Sequence, residues 1–276
     1  LPSGLSASHA EVFGPHVMAD LTVTFAAPKV ACVLWPAAEA VGELAIADLG
    51  FPSRLIEETP GGLHLSTEEE IAPLLPGRDA TSHKGRHGHA LIVAGSPGKS
   101  GAAVLAARAA VRAGAGLVTV AVPEPILSAV DSGSVESMTL GLAAGSVGEI
   151  AERAVQQLIA AAEGKRAVAL GPGLGQGSET QAAIRAIARA LPLPLVLDAD
   201  GLNAFAGCAA SLRERSAPTI LTPHSGELAR LLETTSAEIE ADRLGSVARA
   251  AEDTGAVVIL KGPRSLIASS GSLGER

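Results

Sequence analysis

Aromatic side chains are nearly absent. They make up 2% of the 276 residues, as four Phe, one Trp and no Tyr. Surfaces that bind single-stranded nucleic acid stack bases on aromatic rings, so this composition argues against that function. Cysteine is scarce as well: Cys32 and Cys208 stand far apart, which fits two thiols in a reducing, cytoplasmic compartment rather than a disulfide framework or a zinc site. No apolar run is long enough to span a bilayer. The opening LPSGLSASHA lacks the basic and apolar regions of a signal peptide and has no initiator Met, so the chain is expected not to begin at a natural start. Basic residues (21) are outnumbered by acidic ones (29), for a net charge of −8, and no Lys/Arg block stands out. That excludes a nucleic-acid footprint or an anionic-membrane surface as the expected partner. An anionic ligand would have to be held locally, by helix N-termini and a few cations.

What is present points to a packed globular protein, with 47% hydrophobic and 18% charged residues. Residues 1–52 hold two strand-like runs, ADLTVTFAAPK and GELAIADLGFP, too little for an independent domain. They must pair with something missing or lie on the larger part. Residues 53–82 read as a polar connector with one short helix, capped by Ser66 and Glu69 and ending near Pro76. From His83 onward, short apolar runs alternate with Ala-rich helical ones: HALIVAGS, GAAVLAARAAVRAGA, GLVTVAVPE, RAVALGPGLG, ETQAAIRAIARAL, PLVLDADG, APTILTPHSGELARLLE and AVVILKGPRSLIA. The alternation predicts an α/β fold with a mostly parallel sheet covered on both faces. Ligands in such sheets bind beyond the carboxyl ends of the strands.

Those ends carry the unusual residues. VAGSPGKSG contains Gly-Lys-Ser, but a phosphate-binding P-loop needs its first Gly at position 93, which is Val, and Gly95 is too close. The stretch is a strand-to-helix turn, either ordinary or open to a polar ligand edge, and Lys99 loses the phosphate role. Gly171, Gly173, Gly175 and Gly177 alternate, which departs from the dinucleotide-binding spacing. They allow either close ligand approach or a flexible loop. Asp198 and Asp200 end a strand, with Asn203 close behind. They could hold Mg²⁺, and Asp200 is also a natural helix N-cap. His224 precedes a helix as a candidate ligand contact, and Ser225 with Glu227 belongs to the helix start. Lys261 and Arg264 end a strand in a pattern suited to phosphate, or to two solvated cations. His83, His87 and His89 lack a carboxylate partner pattern, which disfavours a metal site.

Taken in order, SHKGRHGHALIVAGSPGKSGAAVLAARAAVRAGAGLVTVAVPE, ALGPGLG, VLDADGLNAF, LTPHSGELARL and VILKGPRSLIA closely resemble the ribokinase-like NAD(P)H-hydrate dehydratases. Residues 1–52 resemble the tail of an NAD(P)H-hydrate epimerase domain, and residues 83–276 the dehydratase domain. The resemblance implies a ribokinase-like α/β fold preceded by an α/β epimerase remnant. It implies ADP-dependent dehydration of the (6S) hydrate of NADH or NADPH, giving AMP and phosphate with Mg²⁺ assisting, in a cytoplasmic homo-oligomer. Ala102, Gly173 and His224 would contact the hydrate. Lys261, Gly262, Pro263, Arg264 and Ser265 would line the adenine-nucleotide site. Ser225 stands where the family usually has Pro. The family's Gly-Thr-Gly-Asp motif, whose Asp is the catalytic base, would lie beyond Arg276, and most of the epimerase fold is missing at the other end. The expectation is a fragment of a bifunctional repair enzyme with little or no activity by itself. Alternatives are a small-molecule kinase of the same fold and a non-catalytic nucleotide-binding remnant.

Overall fold

The computed structural model describes residues 1–271 apart from 53, 56, 57, 59–62, 76 and 78–80. The chain divides into two compact units. One holds Leu1–Leu65 with Lys261–Leu266, and the other holds Ser66–Leu260 with the strand residues from Ile267.

In the first unit, β1 (Leu21–Phe25) and β2 (Glu43–Ala47) pair in parallel, with Leu21 opposite Glu43 and Phe25 opposite Ala47. The two expected strands therefore pair with each other. The connection runs through α1 (Val30–Val33) and a 3₁₀ turn at Ala37–Ala40, whose small side chains are buried. β1 alternates with period two, as a one-sided strand must. Thr22 and Thr24 point inward, and the Thr22 hydroxyl donates to the Val41 carbonyl at 2.7 Å. Leu21, Val23 and Phe25 are exposed.

The connector expected over residues 53–82 lies partly outside the described residues, as does Pro76. Its helix is α2 (Glu68–Ile71). The cap sits one residue later than the sequence suggests: the Thr67 N–H donates to the Glu70 carboxylate at 3.0 Å. Two hydroxyl residues followed by three consecutive glutamates leave that register open to either choice.

The larger unit contains β3 (His89–Val93), α3 (Ser100–Arg112), β4 (Leu117–Pro123), α4 (Leu127–Gly133), β5 (Met138–Leu142), α5 (Ala154–Ala161), β6 (Ala167–Leu170), α6 (Ser178–Ala190), β7 (Leu195–Leu197), α7 (Asp200–Asn203), β8 (Thr219–Leu221), α8 (Ser225–Leu231), α9 (Ser236–Ala241), α10 (Arg243–Thr254) and β9 (Val257–Leu260). With β10 (Leu266–Ala268) they form one sheet in the order β10-β9-β8-β7-β6-β3-β4-β5. Every pairing from β5 across to β9 is parallel. β3 is buried from Leu91 to Val93, as expected of a strand covered on both sides. α3 presents Ala103 and Ala107, four residues apart on one face, to Ile92, Val118, Val120 and Val122. Alanine there lets the helix lie close to the sheet, and each buried Val or Ile stabilises by about 1.5–3 kcal/mol.

The strand order reverses between β3 and β6. The chain moves outward from β3 to β5, then returns to the other side of β3 and moves outward again through β9. With right-handed crossovers, that reversal puts the helices of the two halves on opposite faces. It also opens a crevice between the two strand ends, where doubly wound folds take their ligands.

Candidate functional site

The turns after β3 and β6 meet at that crevice. The Gly95 N–H donates to the Pro172 carbonyl at 2.8 Å, and the Ser96 hydroxyl donates to the Gly173 carbonyl at 2.8 Å. Gly173 has a φ of 68°, in the left-handed region that favours glycine. A Cβ there would lie 3.0 Å from the Ala102 Cβ and 3.2 Å from the Lys99 Cβ. Two of the sequence-selected residues, Ala102 and Gly173, are thus neighbours, although 71 positions separate them in the chain (173 minus 102).

Asp200 ties this crevice together. Its side chain is 10% exposed and accepts from the Gly175 N–H at 2.9 Å, Gln176 Nε2 at 3.1 Å, Asn203 Nδ2 at 3.4 Å and Lys99 Nζ at 3.4 Å. Burial alone would raise its pKa. The hydrogen bonds from Gly175 and Gln176, the Lys99 charge and the Asn203 amide outweigh burial and hold it below the ordinary carboxylate value. The helix begins at Asp200 itself, with Ala199 in the N-cap position. The carboxylate therefore reaches sideways to neighbouring turns instead of capping its own helix. Ala199 has φ 50° and ψ −119°, a strained conformation for a residue with a Cβ, and such strain concentrates at functional sites. Asn203 extends the network, its Oδ1 accepting from Arg230 Nε at 2.7 Å.

His224 follows β8, two strands away from β6 in the sheet. The Thr222 hydroxyl binds the β8 end to the β7 end by donating to Asp198 Oδ1 at 2.8 Å. His224 Nδ1 accepts from the N–H groups of Gly226 at 3.0 Å and Glu227 at 3.3 Å, and the His224 N–H donates to Glu227 Oε2 at 2.9 Å. This reciprocal cap starts α8 and uses Nδ1 as an acceptor, which leaves the proton on Nε2. The ring is about half exposed, at 55% of its side-chain surface, so the cap does not hide it. Ser225 and Glu227 belong to the helix start, as expected.

Lys261, Gly262, Pro263, Arg264 and Ser265 form an exposed turn after β9 within the smaller unit. Gly262 has φ 154° and Arg264 φ 56°. The histidines are separately engaged: His87 Nε2 lies 2.9 Å from Ser82 Oγ, and His89 Nε2 lies 2.8 Å from Thr119 Oγ1 on β4. Among the described residues, no group of three or more His, Cys, Asp or Glu could hold a metal ion, and no helix is long and apolar enough to cross a membrane.

Two features escaped the sequence reading. Glu149 accepts from the Gly177 N–H at 3.2 Å and the Thr180 hydroxyl at 2.9 Å, holding the start of α6 against the glycine-rich turn. A cleft of about 730 Å³ lies beyond β4 and β5, lined in part by Glu124, Gly141, Gly145, Arg153 and Gln157. Nothing in SVGE or LGLAAG marks either locally.

Comparison with known proteins agrees with the geometry. A family model described as NAD(P)H-hydrate dehydratase matches residues 90–274. The chain is 41% identical over 268 residues to the bifunctional NAD(P)H-hydrate repair enzyme Nnr of Moorella thermoacetica, covering 97% of this chain and 51% of that protein. It is 34% identical over 270 residues to the protein of the same description from Escherichia coli (strain K12), covering 98% and 49%. The chain spans about half the length of the curated relatives it matches. An ADP/ATP-dependent NAD(P)H-hydrate dehydratase from Bacillus subtilis, co-crystallized with ATP and Mg²⁺, is similar with a TM-score of 0.59 and 31% identity, over 74% of this chain and 68% of that one. A ribokinase-like superfamily protein from Enterococcus faecalis has a TM-score of 0.59 at 22% identity, which supports the fold alone. The crevice lies at the switch point of a ribokinase-like fold, and the family match runs through every turn that builds it: the chain belongs to the NAD(P)H-hydrate dehydratase family.

Proposed function

We propose that this chain carries the hydrate-binding and nucleotide-binding parts of an ADP-dependent dehydration. In that reaction the (6S) hydrate of NADH or NADPH gives NAD(P)H while ADP gives AMP and phosphate. The hydrate's hydroxyl takes the phosphoryl group, and phosphate then leaves together with a neighbouring proton, which forms the ring double bond. Phosphate is a far better leaving group than hydroxide, which explains why a dehydration uses a phosphoryl donor.

The observation that carries this reading is the approach of Ala102 to Gly173 at the switch point. There two small residues let the turns after β3 and β6 pack closely together at the strand ends. Ala102, Gly173 and the half-exposed His224 are assigned to the hydrate. Lys261, Gly262, Pro263, Arg264 and Ser265 are assigned to ADP, with the two cations suited to its phosphates. The described residues do not fit a protein-held Mg²⁺, because the oxygens of buried Asp200 are already engaged by four donors. A Mg²⁺ ion would instead come on the nucleotide phosphates, as this ion commonly does. Residues 1–52 are read as the tail of an epimerase-like domain, residues 53–82 as a connector and residues 83–276 as the dehydratase-like domain. Relatives described as bifunctional repair enzymes support that division.

Isothermal titration of this chain with (6S)-NADPH hydrate, with NADPH, and with a panel of sugars and hydroxymethyl metabolites tests the reading. Uptake of the hydrate in preference to the panel is expected. Preference for a hydroxymethyl metabolite would overturn it in favour of a small-molecule kinase.

A further inference from the structure

Lys99 is poorly suited to the structural job its position would give it. It is the N-cap residue of α3, a 13-residue helix with no acidic residue in its first turn and no side-chain cap. N-caps favour side chains that accept hydrogen bonds, and an ammonium only donates. A cation at that end also opposes the helix dipole. Nor does Asp200 need it, since the buried carboxylate already accepts from Gly175, Gln176 and Asn203. The Lys99–Asp200 pair is 3.4 Å long with half of the lysine side chain exposed, a geometry that contributes little to stability.

The pair does fix where the ammonium stands. The Lys99 Cβ would be 3.2 Å from a Cβ on Gly173, so the side chain leaves the backbone beside Ala102 and Gly173. The space on either side is open: a Cβ on Gly98 or on Gly101 would meet nothing within 4 Å. One N–H of the ammonium points to Asp200, and an ammonium has three. A dinucleotide hydrate brings a diphosphate, with oxyanions suited to the others.

We propose that Lys99 is a binding residue for a phosphate oxygen of the dinucleotide hydrate, with its ammonium aimed by Asp200. The proposal rests on the assignment of Ala102 and Gly173 to the hydrate. It restores an anion-binding role to a lysine whose loop fails the P-loop spacing: the group is the right one, reached through a different fold of the chain.

Lys99→Met keeps the stem and removes the charge, and Lys99→Arg keeps the charge. Calorimetric titration of the full chain with (6S)-NADPH hydrate, and separately with ADP and Mg²⁺, is read at low and moderate salt, alongside melting followed by far-UV circular dichroism. Loss of a charge-assisted hydrogen bond predicts hydrate affinity lowered about tenfold or more in Lys99→Met. Its salt dependence should flatten, ADP affinity should stay within about twofold, and Lys99→Arg should recover most of the loss. The melting temperature should not move. Unchanged hydrate affinity in Lys99→Met overturns the proposal while leaving the hydrate site standing. A loss confined to ADP assigns the cation to the phosphoryl donor and overturns it too. Equal losses in both variants with lowered melting show a structural role and also overturn it. If the unmodified chain takes up no hydrate, the reading of the site falls first and this proposal with it.

Discussion

Replacing Asp200 with alanine removes the acceptor that joins the turns after β3, β6 and β7. The Gly175 N–H, buried and 2.9 Å from the carboxylate, would be left without it. An orphaned buried donor costs about 1–3 kcal/mol. Gln176 is exposed and Lys99 half-exposed, so both regain water, and their bonds together add no more than about 1 kcal/mol. Asp200→Ala is therefore expected to lose about 1–4 kcal/mol. Asp200→Asn should lose less, because its carbonyl can still receive Gly175 while its amide meets other donors. Urea unfolding followed by far-UV circular dichroism measures this, with the midpoint moving and the slope unchanged. Fluorescence is the wrong probe, since Trp35 lies in the smaller unit. The same variant carries a pH signature. Asp200 has a folded-state pKa below its unfolded one, so its contribution is complete above the unfolded value, about 4, and is lost as pH falls through the lower folded value. The wild-type chain should thus lose more stability on acidification below that point than Asp200→Asn does. A loss under about 0.5 kcal/mol in Asp200→Ala, or parallel acid profiles for the two chains, would refute Asp200 as the organiser of the crevice.

Other substitutions separate fold from site. A Cβ on Gly171 would fall 1.8 Å from the Asp198 carbonyl oxygen, with φ at 138°, so Gly171→Ala should cost more than about 4 kcal/mol; a soluble variant with wild-type melting contradicts this. Gly173→Ala meets side-chain Cβ atoms at 3.0 and 3.2 Å and the Lys99 carbonyl oxygen only at an ordinary 3.4 Å, so it should fold with a loss of about 1–2 kcal/mol yet bind hydrate poorly, as titration would record. His224→Ala should lose about 1 kcal/mol with the cap, and His224→Asn should restore it. Hydrate affinity should stay low in both, and its recovery in His224→Asn would leave the ring with a capping role only. Ala199→Gly relieves a strained backbone and should be neutral or stabilising, whereas Ala107→Gly, buried within α3, should lose about 1 kcal/mol or more; chemical denaturation compares them.

The strands and turns of the larger unit were legible where the chain states them locally. HALIV, AVAL, LVL, TIL and VVIL are short apolar runs ended by turn residues, and each is a strand. MTLGL, interrupted by Gly141, and the polar α10, RLGSVARAAEDT, were not read. Alanine supplies much of the buried face of α10, at Ala248, Ala250 and Ala251, and it gives no contrast between an inner and an outer side. The site was legible as a set of positions and not as a network. Asp200 draws its donors from Lys99, from Gly175 with Gln176, and from Asn203, and only the last is near it in sequence. Lys99 was dismissed because P-loop spacing tests the local chain alone, whereas its neighbour Gly173 arrives through the strand order.

That strand order also explains why the glycines of LGPGLGQG do unlike things. At the switch point the β6 and β7 ends approach backbone to backbone: a Cβ on Gly171 would strike the Asp198 carbonyl, and one on Gly201 would lie 2.4 Å from the Leu170 carbonyl oxygen. No side chain can project from either glycine, so charge at these two points comes from residues beside them. Asp200 and Lys99 supply it from two directions. The carboxylate is buried and satisfied, the ammonium tethered and half open to solvent. A buried acid facing the ligand would repel a diphosphate, but here the carboxylate is turned to Gly175, Gln176 and Asn203 and its charge is paired with the Lys99 ammonium. Of that pair, the lysine's positive end is the part open to solvent. An acidic chain can in this way offer a dinucleotide a local cation without any basic patch that its sequence would reveal.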